Sequence, residues 1–179
     1  MDPIEKARQI YKEYNPHELI PFPFQEIINR NNDVSISYTN MQDVPDVSGA
    51  ILYNEAKKCF DVLVDSSDNI RRQYFTLGHE IGHYFMHKNK IKKDNNKKGL
   101  VEDDRNLSLG FDAILLRDGS HGKTEYEANC FAAELLMPED KLREIWAITG
   151  GNVSKCADIF NVSLSAMSVR VGSLGLPDE

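Results

Sequence analysis

Features that would assign a chain to a membrane or to the secretory route are missing from this 179-residue sequence. No run reaches the roughly 18 apolar residues of a transmembrane helix. The first residues include acidic side chains and no apolar stretch of the signal-peptide type, so no signal peptide is predicted. The three cysteines are scattered without C-x-x-C spacing, which indicates reduced thiols and favours the cytoplasm.

Excess positive charge is also missing, because the formal net charge is −7. Binding to the phosphate backbone requires surplus lysine and arginine, so direct nucleic-acid binding is not expected. The chain is 41% hydrophobic and 27% charged, which is ordinary for a globular domain large enough to bury a core. We therefore expect a cytoplasmic globular protein that neither crosses a membrane nor reads nucleic acid.

The spacing of apolar residues divides the chain into helices and strands. Helices are predicted over residues 3–14, 24–29, 70–88, 124–137, 139–148, 152–160 and 163–173. Strands are predicted over residues 34–38, 51–53 and 60–64, the last two as an antiparallel hairpin. Residues 88–106 are polar, with a lysine-rich part over 88–98, and we interpret them as a mobile surface loop. This loop is either a solvated connection or a charged patch that steers substrate.

The most informative motif is His79-Glu80-Ile81-Gly82-His83, an H-E-x-x-H pattern inside the predicted helix 70–88. Residues four apart share a helix face, so both imidazoles can bind one ion. Glu80 lies one position further on, where it reaches a water at the metal and can act as general base. Gly82 lowers helix stability by about 1 kcal/mol relative to alanine, which predicts a close approach by another element. The alternative is a pair of histidines that never bind a metal.

A catalytic zinc site also needs a third protein ligand and an open position. In helix 124–137, Glu125 and Asn129 share a face beside the small residues Ala128 and Ala132, which permit close helix packing. We predict Glu125 as the third ligand and Asn129 as the partner that orients a ligand histidine. Glu127 is the alternative ligand, but it lies about 200° around the helix from Glu125, so both cannot serve. Imidazole and carboxylate donors also bind manganese and iron, so the sequence does not decide between these metals and zinc.

Further polar side chains lie near these motifs. His87 continues the four-residue spacing after His83 and is predicted at the helix end, where its charged form would suit the helix dipole; a ligand role is the alternative. His121, in a predicted flexible loop, is a candidate stabiliser of the oxyanion, as are Tyr84 and Tyr126. The sequence does not decide which of these three side chains stabilises the oxyanion. The alternative for His121 is a loop residue without a catalytic role.

Two segments together resemble a known family: RQYFTLGHEIGH at residues 72–83 and E-x-x-A-N-x-F-A-A-x-L-L-M-P at residues 125–138. They are similar to the ImmA/IrrE metallo-endopeptidases, and the similarity runs from about residue 4 to residue 176. The resemblance implies a zincin-like α+β fold, in which a small antiparallel or mixed sheet packs on the H-E-x-x-H helix. It also implies one zinc ion per chain held by His79, His83 and Glu125, with Glu80 catalytic. The long gap between His83 and Glu125 departs from the family pattern.

Members of this family are found in mobile elements and stress regulons, where they cleave or antagonise helix-turn-helix repressors encoded nearby. The resemblance thus implies a zinc endopeptidase that hydrolyses a peptide bond in such a repressor and relieves repression. An alternative is a non-catalytic regulator that binds a transcription factor or DNA, with a structural metal closed by four protein ligands. A third hypothesis, one half of a toxin–antitoxin gene pair, concerns the biology rather than the chemistry.

The C-terminal part is predicted to be a separate helical segment. We expect a metallopeptidase domain over residues 1–138 and a helix-turn-helix-like segment over residues 139–179 packed on it. Asn161-Val162-Ser163 is the predicted turn, with Ser163 as N-cap of the second helix. Arg170 is the single basic residue of that helix, so packing or partner binding is favoured over reading a major groove.

Overall fold

The fold is α+β, as predicted, in a computed structural model that describes residues 2–43, 47–94, 100–101 and 121–177. The helices are α1 (Pro3–Tyr14), α2 (Gln25–Arg30), α3 (Ile70–Asp94), α4 (His121–Leu136), α5 (Glu139–Thr149), α6 (Val153–Phe160) and α7 (Leu164–Ser173). The strands are β1 (Val34–Thr39), β2 (Gly49–Asn54), β3 (Cys59–Asp65) and β4 (Leu100–Val101). Within the described ranges, no helix combines the length and apolarity that crossing a bilayer requires.

The sheet is mixed and has the strand order β1-β3-β2-β4. β3 runs parallel to β1 and antiparallel to β2, which confirms the predicted hairpin. β2 also pairs antiparallel with the short strand β4. Phe60, Val62 and Val64 alternate along β3 and are fully buried, because successive side chains of a strand point to opposite faces. This apolar face of the sheet meets helix α3.

Helix α3 is longer than predicted and ends at Asp94. The expected loop is therefore wrong over residues 88–94, which are helical, and over residues 100–101, which form β4; residues 95–99 and 102–106 lie outside the described part. The helix continues because Ile91 is buried against the core. Lys92 lies with its ammonium group 4.6 Å from the centre of the Tyr53 ring. Such lysines keep the charge in water while their stems cover apolar surface.

Helices α3 and α4 pack in close contact, and Gly82 allows it. A Cβ atom at residue 82 would lie 3.1 Å from the backbone oxygen of Ala128 and 3.1 Å from the Phe131 ring. Ala128 and Ala132 are fully buried in the same contact. The predicted reason for a glycine inside the motif is confirmed, since a side chain there would separate the two helices.

Helices α5, α6 and α7 follow the predicted boundaries closely, and Ser163 caps α7 by accepting a hydrogen bond from Ala166 N at 3.1 Å. Arg170 is buried. It donates to Met137 O at 3.1 Å and forms an ion pair with Glu134 of α4. The single basic side chain of α7 is therefore used inside the protein. The domain boundary at residue 138 stays a prediction.

Candidate metal centre

The two histidines of the H-E-x-x-H motif lie one turn apart on α3 and face the same point. Both are buried. The Nε2 atoms of His79 and His83 are 3.0 Å apart. Helical spacing alone accounts for this convergence, because residues four apart lie above one another on one face.

Glu125, from the start of α4, completes the cluster. Its Oε2 atom is 3.2 Å from His79 Nε2, and its Oε1 atom is 3.5 Å from His83 Nε2. The three residues offer ligand atoms that all lie within 4.8 Å of one another. Tetrahedral metal bonds of about 2.0–2.1 Å require donors roughly 3.3 Å apart, so the observed spacings are compatible with a metal ion. The Glu125 side chain is 26% exposed, which leaves this side of the cluster accessible to water.

Asn129, one turn after Glu125, contacts the first histidine. Its Oδ1 atom lies 2.8 Å from His79 Nδ1, and the amide is buried. An amide oxygen only accepts, so the imidazole proton is on Nδ1 in this arrangement. The Nε2 lone pair then points towards the other donors, which is the tautomer that metal binding requires.

Glu80 is buried between α3 and strand β2. A Cβ atom at residue 49 would lie 2.9 Å from Glu80 Oε1 and 2.4 Å from a methyl group of Thr76. Gly49 thus makes room for the carboxylate beside the sheet. Glu80 directly follows His79 on the same helix.

Glu127, the alternative ligand, contacts a different residue. Its Oε2 atom is 2.9 Å from His87 Nε2. The expected position of His87 at the helix end is wrong, because α3 continues to Asp94 and buries the imidazole. His87 Nδ1 is 3.0 Å from His83 Nδ1. Burial lowers the pKa of His87, and its hydrogen bond to Glu127 acts in the opposite direction.

The contacts of His87 with His83 and Glu127 were not predicted, although the sequence contains a signal for them. His79, His83 and His87 repeat at four-residue spacing along one helix. Glu125 and Glu127 both belong to the opposing helix. Glu127, which is outside the group formed by His79, His83 and Glu125, was therefore available to the third histidine.

The three candidates for oxyanion stabilisation have different surroundings in the structure. The Tyr84 hydroxyl is buried and donates to Asp33 Oδ1 at 2.5 Å, and burial first, then this bond, raises its pKa. The Tyr126 hydroxyl pairs with Cys130, and this hydrogen bond is the main cause that raises the pKa of Tyr126. His121 is not in a flexible loop, since α4 begins there; its side chain lies outside the described part.

The family model described as the IrrE N-terminal-like domain matches residues 52–110 and 116–171. Metallopeptidase ImmA of Bacillus subtilis (strain 168) is 27% identical over 146 residues, which cover 80% of this chain and 73% of that protein.

A solved structure of a Mycobacterium tuberculosis transcriptional regulator has a TM-score of 0.61 at 12% identity. The match covers 96% of this chain but 46% of that one, so this chain spans about half its length. At this identity the likeness supports the fold alone. The family match includes more than half of the chain and both helices of the cluster. The chain therefore belongs to the IrrE N-terminal-like domain family of metallopeptidases.

Proposed function

We propose that the protein is a zinc endopeptidase in which His79, His83 and Glu125 hold one ion per chain. The observation that carries the proposal is the convergence of these three donor groups within 4.8 Å. Three protein ligands and one side open to water are typical of catalytic rather than structural zinc sites. Zinc, when bound, supplies Lewis acidity to the scissile carbonyl and to the attacking water.

Glu80 is the general base in this proposal. Its carboxylate takes a proton from the attacking water and returns it to the nitrogen of the leaving amine. Burial between α3 and β2 holds the carboxylate in one orientation. Asn129 keeps the Nδ1 proton on His79, so that the Nε2 lone pair stays directed at the site.

The proposed substrate is a helix-turn-helix repressor encoded nearby, cleaved in the cytoplasm so that repression is relieved. The family resemblance supports this substrate class. The three free cysteines support a reducing compartment. Arg170 pairs with Glu134 inside the protein, which favours a protein substrate over DNA as the partner.

Glu80→Gln is the test of the mechanism. The variant should retain zinc, because the predicted ligands are untouched, and should cleave the neighbouring repressor about 10²- to 10⁴-fold more slowly. Metal analysis and a gel-based cleavage assay, with and without a chelator, measure the two effects. Cleavage at the wild-type rate would exclude Glu80 as the base. A chelator-insensitive effect on the repressor without any cleavage would favour the non-catalytic regulator.

A further inference from the structure

A row of polar contacts leads away from the second ligand histidine. His83 Nδ1 is 3.0 Å from His87 Nδ1, and His87 Nε2 is 2.9 Å from Glu127 Oε2. All three side chains are buried or half-buried. The second oxygen of Glu127 is 3.8 Å from the exposed Lys123 ammonium. The row therefore begins at the cluster and ends at the surface.

The positions of the protons in this row follow from its outer end. An ionised carboxylate only accepts, so His87 Nε2 carries a proton that it donates to Glu127. A neutral imidazole has one N–H, which makes His87 Nδ1 an acceptor. The proton between the two Nδ1 atoms then belongs to His83. His83 Nε2 is left with its lone pair directed at the other predicted ligands.

The two ligand histidines are thus held by different partners for the same purpose. His79 donates from Nδ1 to the amide oxygen of Asn129 at 2.8 Å, and an oxygen acceptor needs no further support. His83 donates to a nitrogen, and an imidazole nitrogen is an acceptor only in one tautomer. Glu127 selects that tautomer of His87.

We propose that His87 and Glu127 are a positioning pair that sets the tautomer and orientation of His83 and so tightens metal binding. The inference rests on the ligand set given under the proposed function. Neither residue binds the metal: His87 acts through His83, and Glu127 acts through His87. Partners of this kind change metal affinity by roughly 10- to 100-fold in other metalloproteins.

The experiment measures the zinc dissociation constant by competition with a chromophoric chelator in the full chain. His87→Leu removes the acceptor, and His87→Gln restores one through its amide oxygen. Glu127→Leu removes the carboxylate that selects the tautomer of His87, and Glu127→Gln keeps an acceptor oxygen without the charge. Asn129→Leu removes the acceptor for the other ligand histidine, His79, and its loss of zinc affinity is the reference value. Matched controls are His17→Leu and Glu144→Leu, both at exposed residues.

We expect zinc binding about 10- to 100-fold weaker in His87→Leu and Glu127→Leu, as in Asn129→Leu. His87→Gln should recover most of the loss, and Glu127→Gln should be intermediate. The visible spectrum of the cobalt-loaded protein should change in both leucine variants and stay unchanged in the two controls. The unfolding midpoint of the metal-free protein provides the measure of a merely structural role.

Two outcomes would overturn the positioning role. One is wild-type zinc affinity in both leucine variants, which leaves the proposed function intact. The other is an equal loss in His87→Leu and His87→Gln that follows the fall in metal-free stability, which would assign the pair to helix packing. Failure of the wild-type chain to bind zinc would overturn the proposed function and this inference together.

Discussion

Glu125 and Glu134, two carboxylates at opposite ends of helix α4, have opposite surroundings. Near its start, Glu125 faces the imidazole nitrogens of His79 and His83 and is 26% exposed. Near its end, Glu134 accepts from Arg8 Nε at 2.7 Å, pairs with Arg170, and is 2% exposed. Imidazoles offer lone pairs to an ion, whereas guanidinium groups are themselves the cations. The imidazole neighbours of Glu125 therefore suit a metal site, whereas the guanidinium neighbours of Glu134 join helices of the fold.

Removing the structural carboxylate should have the largest effect. Glu134→Leu leaves Arg170 buried without its ion pair, and breaking a buried pair in this way costs about 3–5 kcal/mol. We expect the free energy of unfolding to fall by that amount in denaturant titrations. Zinc binding by the fraction that remains folded should be unchanged. A much smaller loss of stability would show that the two carboxylates do not differ as described.

Removing the carboxylate at the cluster should act on metal binding. Glu125→Ala deletes a predicted ligand, so zinc affinity should fall by more than the roughly 100-fold that loss of an outer partner costs. The metal-free protein should unfold within about 0.5 kcal/mol of the wild type, because the Glu125 side chain is partly exposed and has no buried ion pair to a guanidinium group. Chelator competition and denaturant titration give the two values. Retained affinity would mean that Glu125 is not a ligand.

The smallest effect is expected at the outer arginine of the structural cluster. Arg8→Met removes contacts to Glu134 and Glu139, but the Arg8 side chain is 49% exposed. Ion pairs at exposed positions contribute about 0–1 kcal/mol. Thermal unfolding should therefore shift by a few degrees at most, with zinc affinity unchanged. A loss as large as that of Glu134→Leu would show that Arg8, rather than Arg170, is the principal partner.

Much of the fold was predictable because local patterns specify it. The strand alternation and the helical spacing gave the hairpin and the helices close to their observed bounds. The end of α3 was missed because a lysine-rich run has the composition of a loop. Within this run, Lys92 lies against aromatic rings of distant strands, such as Tyr53. No local pattern contains that information.

The candidate metal centre was likewise predictable only where local spacing specifies it. His79 and His83 share a helix face by their spacing alone, and Gly82 indicated a close neighbour before that neighbour was known. Which glutamate of α4 faces the cluster depends on how the two helices are rotated against each other. That rotation brings Glu125 to the histidine pair and Glu127 to His87.

The sequence by itself determined the helix that presents two imidazoles, because the periodicity of a helix is a local property of the backbone. It also determined the family, because the paired segments at residues 72–83 and 125–138 lie within the matched ranges. Glu125 was predicted beside His79 and His83, but only the tertiary structure decided the partners of Glu127 and Glu134. Those partners come from elements far apart in the chain, and packing of the core sets their distances.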